Sequence, residues 1–240
     1  MTARTHIEPT TVARLVEKQM HTLDRLRASS RPVTTGGERR VVQEFVTLSR
    51  QPGSDGTTVA RRLGERLGWP VFDRELLMSM AGDDRLRAKL YAALDERDQS
   101  WVEDMAIALA PNAATRDDYF RQLGKTVLSI ARGSHAVFVG RGADLLLPRG
   151  CGLRVQIIEE RSRRVAAYAA ETHQSADEAA RALRRIEADR ADFIARHFHR
   201  DADDRERFDL AIKLDPLQPD DAVELILLAL RRRGCVEGPA

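Results

Sequence analysis

Lysine is nearly missing from this chain. Only Lys18, Lys89, Lys125 and Lys213 occur among its 39 basic residues. The rest are arginine, whose planar fork suits bidentate phosphate contacts, although a GC-rich genome yields the same bias. Cysteine is scarce too. Cys151 and Cys235 lie far apart and beside no histidine or acidic cluster. That excludes a disulfide framework and a cysteine-based zinc site, and reads as reduced cysteine in a cytoplasmic protein. No apolar run approaches the ~20 residues that a membrane span needs. No stretch has the form of a signal peptide. Charge of one sign is not in excess: 32% of residues are charged, yet the formal net charge is +2. That balance argues against a nucleic-acid coat protein.

With 240 residues, one α/β domain with an extension is the expectation. The most telling segment runs from Phe45 to Thr58, FVTLSRQPGSDGTT. An apolar run is followed by a glycine-containing turn and two threonines. A helical pattern then places Val59, Leu63 and Leu67 every four residues. Strand, glycine loop and helix form the geometry that holds a phosphate: backbone N–H groups approach the oxygens and the helix dipole assists. The full phosphate-loop pattern is G-x-x-x-x-G-K-[ST]. With its Ser/Thr on Thr57, Arg50 takes the first glycine, Asp55 the second and Gly56 the lysine. The lysine is therefore missing, and Asp55 brings negative charge to the loop. A plain strand-to-helix turn built on Gly53 and Gly56 is the competing reading.

Residues 8–28 read as an amphipathic helix with Val12, Leu15, Val16, Met20, Leu23 and Leu26 on one stripe. Such a stripe needs a partner, the core or a second chain, and a homodimer is the expectation. A linker over 28–37 follows, so the divisions expected are 1–40, 41–232 and a tail over 233–240. Five runs read as strands: Phe45–Ser49, Pro70–Phe72, Ala136–Val139, Leu153–Ile158 and Leu210–Leu214. Helical patterns over 57–67, 117–132, 160–171, 176–198 and 219–233 separate them. The alternation predicts a mostly parallel sheet covered on both faces, with ligands at the carboxyl ends of the strands.

Three polar clusters follow strands: Arg50–Thr58, Asp73-Arg74-Glu75 and Gly140-Arg141-Gly142-Ala143-Asp144. Asp73 is either a substrate contact or the cap of a helix starting at Arg74. Arg141, between two glycines, is either a phosphate clamp or a solvated turn residue. The span 181–207 holds eight arginines and seven acidic residues. It reads as a solvated helix face or as a lid closing arginines over phosphates. His197-x-His199 has no third ligand at suitable spacing and is discounted as a metal site. Trp69 and Trp101 read as packing residues.

Taken in order, these segments resemble the cytidylate kinase-like family, a branch of the P-loop nucleoside monophosphate kinases. The resemblance rests on TLSRQPGSDGTT (47–58), LGWPVFDRELL (67–77), VFVGRGAD (137–144), LRVQII (153–158) and DLAIKLD (209–215), and covers roughly residues 41–232. True cytidylate kinases carry a complete loop and a Gly-Arg-Asp turn, where this chain reads Gly-Arg-Gly. The resemblance implies an α/β three-layer P-loop kinase fold with strand order 2-3-1-4-5 and an Arg-rich lid. It implies ATP and Mg²⁺ on Arg50, Gly53, Ser54, Gly56, Thr57 and Thr58, with Thr57 as the metal ligand. It implies an acceptor near Asp73, Arg74, Asp144 and Arg196, and catalysis by Arg141, Arg185 and Arg190. The activity implied is phosphoryl transfer to a nucleoside monophosphate or another small phosphorylated acceptor. A nucleotide-binding module that kept the fold and lost the chemistry is the alternative.

Overall fold

The computed structural model describes residues 9–29, 34–35, 38–39, 42–109 and 118–236. Helix α1 (Pro9–Ser29) leads into a short antiparallel pair, β1 (Thr34–Thr35) with β2 (Glu38–Arg39). The core then alternates: β3 (Phe45–Arg50), α2 (Gly56–Leu67), β4 (Val71–Phe72) and helices α3 (Arg74–Gly82), α4 (Asp84–Ala92), α5 (Glu96–Leu109) and α6 (Asp118–Gly133). Strand β5 (Ala136–Val139), α7 (Ala143–Leu146), β6 (Leu153–Ile158), α8 (Arg161–Thr172) and α9 (Ala176–Phe198) follow. A 3₁₀ turn (Arg205–Arg207), β7 (Leu210–Lys213) and α10 (Pro219–Arg232) complete it.

Strands β3 to β7 form one sheet in spatial order β4-β5-β3-β6-β7, and every pairing is parallel. Counting the five core strands along the chain, that is the expected order 2-3-1-4-5. The near-continuous apolar runs follow from burial on both faces. Alternation along each strand divides them between two cores. Phe45, Phe72 and Phe138 pack with α1, α3 and α6, whereas Val46, Leu48, Val137 and Val139 pack with α2 and α10. Helix α2 lies tightly on the sheet. A Cβ at Gly64 would stand 2.3 Å from Val71 Cγ2.

The stripe of α1 is spent on the chain's own core rather than on a second copy. Val16, Met20 and Leu23 are buried in the same cluster as Phe72 and Phe138. Gln19 Oε1 accepts the backbone N–H of Val71 at 3.2 Å, so α1 also satisfies a donor of edge strand β4. Lys89 pairs with Asp24 at 3.1 Å. The homodimer expectation thus loses its basis. Trp69 is buried and stacks on His135, and Trp101 lies beneath Arg132. Among the described residues no helix is long and apolar enough to cross a membrane.

Candidate functional site

All five core strands run the same way, so their carboxyl ends share one edge of the sheet. The loop after β3 is tied down from several sides. Ser54 sends both its N–H and its hydroxyl back to Gln51 O, at 3.2 and 2.7 Å. Gln51 Oε1 accepts from Glu159 N at 2.9 Å. Asp55 N donates to Glu159 Oε2 at 3.1 Å. Arg164 Nη1 donates to Pro52 O at 3.2 Å. Gly53 has φ +79°, and a Cβ there would stand 2.6 Å from Arg164 O. Glycine is therefore required on both conformational and steric grounds. Asp55 is exposed, and its Oδ1 accepts from the Thr58 hydroxyl at 3.4 Å.

Arg50 fills the space of the missing lysine. A Cβ at Gly56 would lie 2.6 Å from Arg50 Cβ and 3.2 Å from Arg50 Cδ. The arginine stem thus crosses the point where a lysine side chain would begin. Arg50 Nε donates to Thr57 Oγ1 at 2.8 Å. Burial lowers the Arg50 pKa, with Asp73 opposing that effect and Arg74 adding to it.

Three guanidinium groups from different elements, those of Arg50, Arg74 and Arg141, bear on a fourth, Arg190. Arg190 of α9 donates from Nη1 to Arg50 O at 2.8 Å. Its pKa is lowered to about 10, first by burial and then by Arg50, Arg74 and Arg141, with Glu187 opposing. Arg141 sits in the turn after β5 with φ +55°. Its Nη2 approaches Met78 Sδ at 2.9 Å, its guanidinium lies 5.2 Å over the Phe193 ring, and its Nε is buried without a partner. Burial lowers the Arg141 pKa and Arg74 adds to it, while Tyr119 opposes. Arg74 itself is exposed at the start of α3. Like charges held this close are unfavourable unless an anion is meant to join them.

Some expected residues are used elsewhere. Asp73 caps α3, its Oδ1 accepting from Glu75 N at 3.0 Å and Leu76 N at 2.9 Å. Asp144 corrects the expectation of an acceptor contact: it is buried, and its Oδ2 accepts from Arg207 Nε at 3.0 Å and Nη2 at 2.9 Å. Arg185 and Arg196 are exposed and do not join the cluster. On a helix of 100° per residue they stand about 140° and 120° round from Arg190. The span 181–207 is most of α9 plus the turn after it, and Arg190 is the arginine it delivers to the loop. His197 stacks on Phe120, and His199 is the left-handed C-cap of α9.

Four contributors escaped sequence reading. Glu159 and Arg164 flank the β6–α8 junction and brace the loop. Glu187 on α9 accepts from Arg164 Nη1 at 2.6 Å. Tyr119 opens the apolar stripe of α6 and remains 40% exposed beside Arg141 and Arg74. Glu159 had a legible signal, since it follows its strand directly, as Asp73 follows β4. Gly142 explains the departure from Gly-Arg-Asp. A Cβ there would lie 2.4 Å from Phe198 Cε2, so the end of α9 occupies the room an aspartate needs.

A parallel sheet in this order, with a glycine loop after its first core strand and arginines gathered from neighbouring elements, defines a P-loop kinase-like α/β protein. The chain belongs to the cytidylate kinase-like family, whose model matches residues 45–216. Family membership points to nucleotide-kinase-like function. The fold is similar to a solved structure described as an uncharacterized protein from Eubacterium ventriosum ATCC 27560. The TM-score is 0.65 at 19% identity, over 79% of this chain and 99% of that one. No curated protein matches this chain.

The family implies a metal as well as a nucleotide, and the residues present do not fit a resident Mg²⁺. Thr57 Oγ1, the expected ligand, already accepts from a cationic guanidinium. Asp73 and Glu159 commit carboxylate oxygens to backbone amides. Among the described residues no three His, Cys, Asp or Glu side chains group as metal ligands. The charge gathered around Arg190 is cationic, with Asp73 and Glu75 near Arg50 and Glu187 near Arg190 offsetting it in part.

Proposed function

We propose that the protein transfers a phosphoryl group from ATP to a small phosphorylated acceptor of the nucleoside monophosphate class. The observation that carries this reading is the convergence of Arg50, Arg74, Arg141 and Arg190 from four separate elements, with Arg190 depressed to about 10 by burial and by the other three. The loop and Arg50 hold the donor phosphates. Arg141 and Arg74, on the adjoining strand ends, hold the acceptor phosphate. An acceptor oxygen attacks the terminal phosphorus, the bond to the bridging oxygen breaks, and ADP leaves with that electron pair. Such chemistry asks for positioning and charge neutralisation rather than a protein nucleophile.

A second reading, nucleotide binding without transfer, is favoured by the missing lysine at Gly56 and by the hold of Glu159 on the Asp55 amide. One experiment separates the two. The protein is incubated with labelled ATP and a panel of nucleoside monophosphates and phosphorylated metabolites, and transfer is followed. Arg141→Ala should lower acceptor kcat/KM by at least ~10-fold, since a charge-assisted hydrogen bond contributes about 1.5–3 kcal/mol. Arg141→Lys should rescue little, because one ammonium cannot reproduce the fork. ATP binding without transfer to any acceptor would select the second reading.

A further inference from the structure

We propose that the loop binds the phosphate chain of its nucleotide without a divalent cation, Arg50 replacing both the lysine and the metal. This rests on the reading of the loop as a nucleotide site. Three independent features carry it.

The first is steric. The Arg50 stem occupies the origin of a lysine side chain at Gly56, so arginine and lysine are mutually exclusive here. The second is the fate of the hydroxyl. In a lysine-type loop the Ser/Thr oxygen turns to the cation. Here Thr57 Oγ1 accepts from Arg50 Nε at 2.8 Å, and a divalent ion on that oxygen would stand against a fixed positive charge. The third is the surrounding field. Arg190 reaches Arg50 O at 2.8 Å, and Arg74 and Arg141 lie close enough to depress it. The carboxylates at this edge are partly committed, with Asp73 Oδ1 capping α3, Glu159 Oε2 accepting from Asp55 N and Asp144 paired with Arg207. Asp73 and Glu75 on Arg50, and Glu187 on Arg190, oppose the lowering of those two pKa values without cancelling it. A metal-coordinated phosphate chain has lost much of its negative charge. The free chain matches this cluster better.

Arg50 Nε is fixed on Thr57, and among the described residues no hydrogen bond is formed by Nη1 or Nη2, although Asp73 and Glu75 lie near enough to oppose the lowering of the Arg50 pKa. The outer N–H groups are thus open to an anionic ligand. A fork held at one end is pre-organised for two phosphate oxygens.

The test uses the full chain and tripolyphosphate as the probe, titrated by calorimetry in EDTA and then in excess Mg²⁺. Affinity in EDTA at least equal to that in Mg²⁺ supports the proposal. In EDTA, Arg50→Gln should weaken binding by about 10-fold or more. Binding that appears only with Mg²⁺ overturns the proposal and leaves the nucleotide site standing. Absence of binding in both buffers overturns the proposal and the nucleotide site together. The comparison of buffers is made on the unmodified protein, so it does not depend on how the variant folds.

Discussion

Replacing Arg190 by methionine should cost far less stability than the loss of a buried charged hydrogen bond usually does. Methionine keeps most of the stem and removes the charge. Removing one partner of a buried charged pair ordinarily costs about 3–5 kcal/mol. Here an opposing term is built in. The Arg190 pKa stands at about 10, below the ordinary arginine range, because of burial and three neighbouring guanidinium groups. Each pH unit of such a displacement corresponds to about 1.4 kcal/mol, so removing the charge relieves at most about 3.5 kcal/mol of burial cost and repulsion together. Against it stands the lost bond to Arg50 O, about 1.5–3 kcal/mol for a charged donor. The two nearly cancel. For a chain of this size 1 kcal/mol moves Tm by roughly 2–4 °C, so Arg190→Met should melt within about 4 °C of the wild type at neutral pH. The pH dependence has a definite sign. The folded protein releases this proton near pH 10, whereas the unfolded chain holds it to higher pH. Between those limits the unfolded state binds more protons, so wild-type stability rises with pH relative to the variant. Near pH 7 no such difference appears. Calorimetric melting of both proteins from pH 7 to 10.5 checks this. A Tm drop of more than about 10 °C at neutral pH, or no relative gain above pH 9, would refute the stored repulsion.

Gly53→Val should abolish binding of ATP and tripolyphosphate, because its Cβ meets Arg164 O at 2.6 Å and the backbone has φ +79°; calorimetry at millimolar ligand is the check. Gly56→Lys should be destabilising by about 1–3 kcal/mol through overpacking on Arg50 and should not improve ATP affinity. In an Arg50→Gly background the same lysine should raise affinity, and additive effects in that double-mutant cycle would count against the shared space. Leu23→Ala should lower stability by about 2–5 kcal/mol, because Leu23 is fully buried in the core. Its mass by sedimentation should not change; a fall in mass would mean that α1 serves a second chain.

The sheet was legible because its signals are local. Buried parallel strands read as unbroken apolar runs, and Phe45–Arg50, Ala136–Val139 and Leu153–Ile158 leave little choice. Helices α4 and α5 did not announce themselves, since Asp84–Ala92 mixes charged and apolar positions and is built on one buried side chain, Leu90. At the site, position relative to a strand end found Arg50, Asp73 and Arg141. What it missed depends on distance along the chain. Nothing near Arg164 says that its guanidinium will meet Pro52 and Glu187. Helix phase, by contrast, was available. Buried Leu183 and Ile194 fix the inward face of α9, and that face includes Arg190 and leaves out Arg185 and Arg196. Asp144 was misplaced because its partner, Arg207, lies 63 residues on.

The odd loop and the odd turn have one physical explanation in the placement of α9. Arg164 grips the loop at Pro52 O and α9 at Glu187. Arg190 returns from α9 to Arg50 O. Phe198, at the end of the same helix, closes over Gly142, and Phe193 lies under Arg141. The helix that delivers the arginine therefore also fixes the loop and the turn, and each contact demands a specific exchange. An aspartate at position 142 would push Phe198 away, and a lysine at position 56 would displace the arginine whose carbonyl Arg190 holds. The missing lysine and the missing aspartate are thus linked consequences of α9 packed directly onto the strand ends. On the function proposed above, Arg50 and Arg190 supply the cationic charge that position 56 lacks.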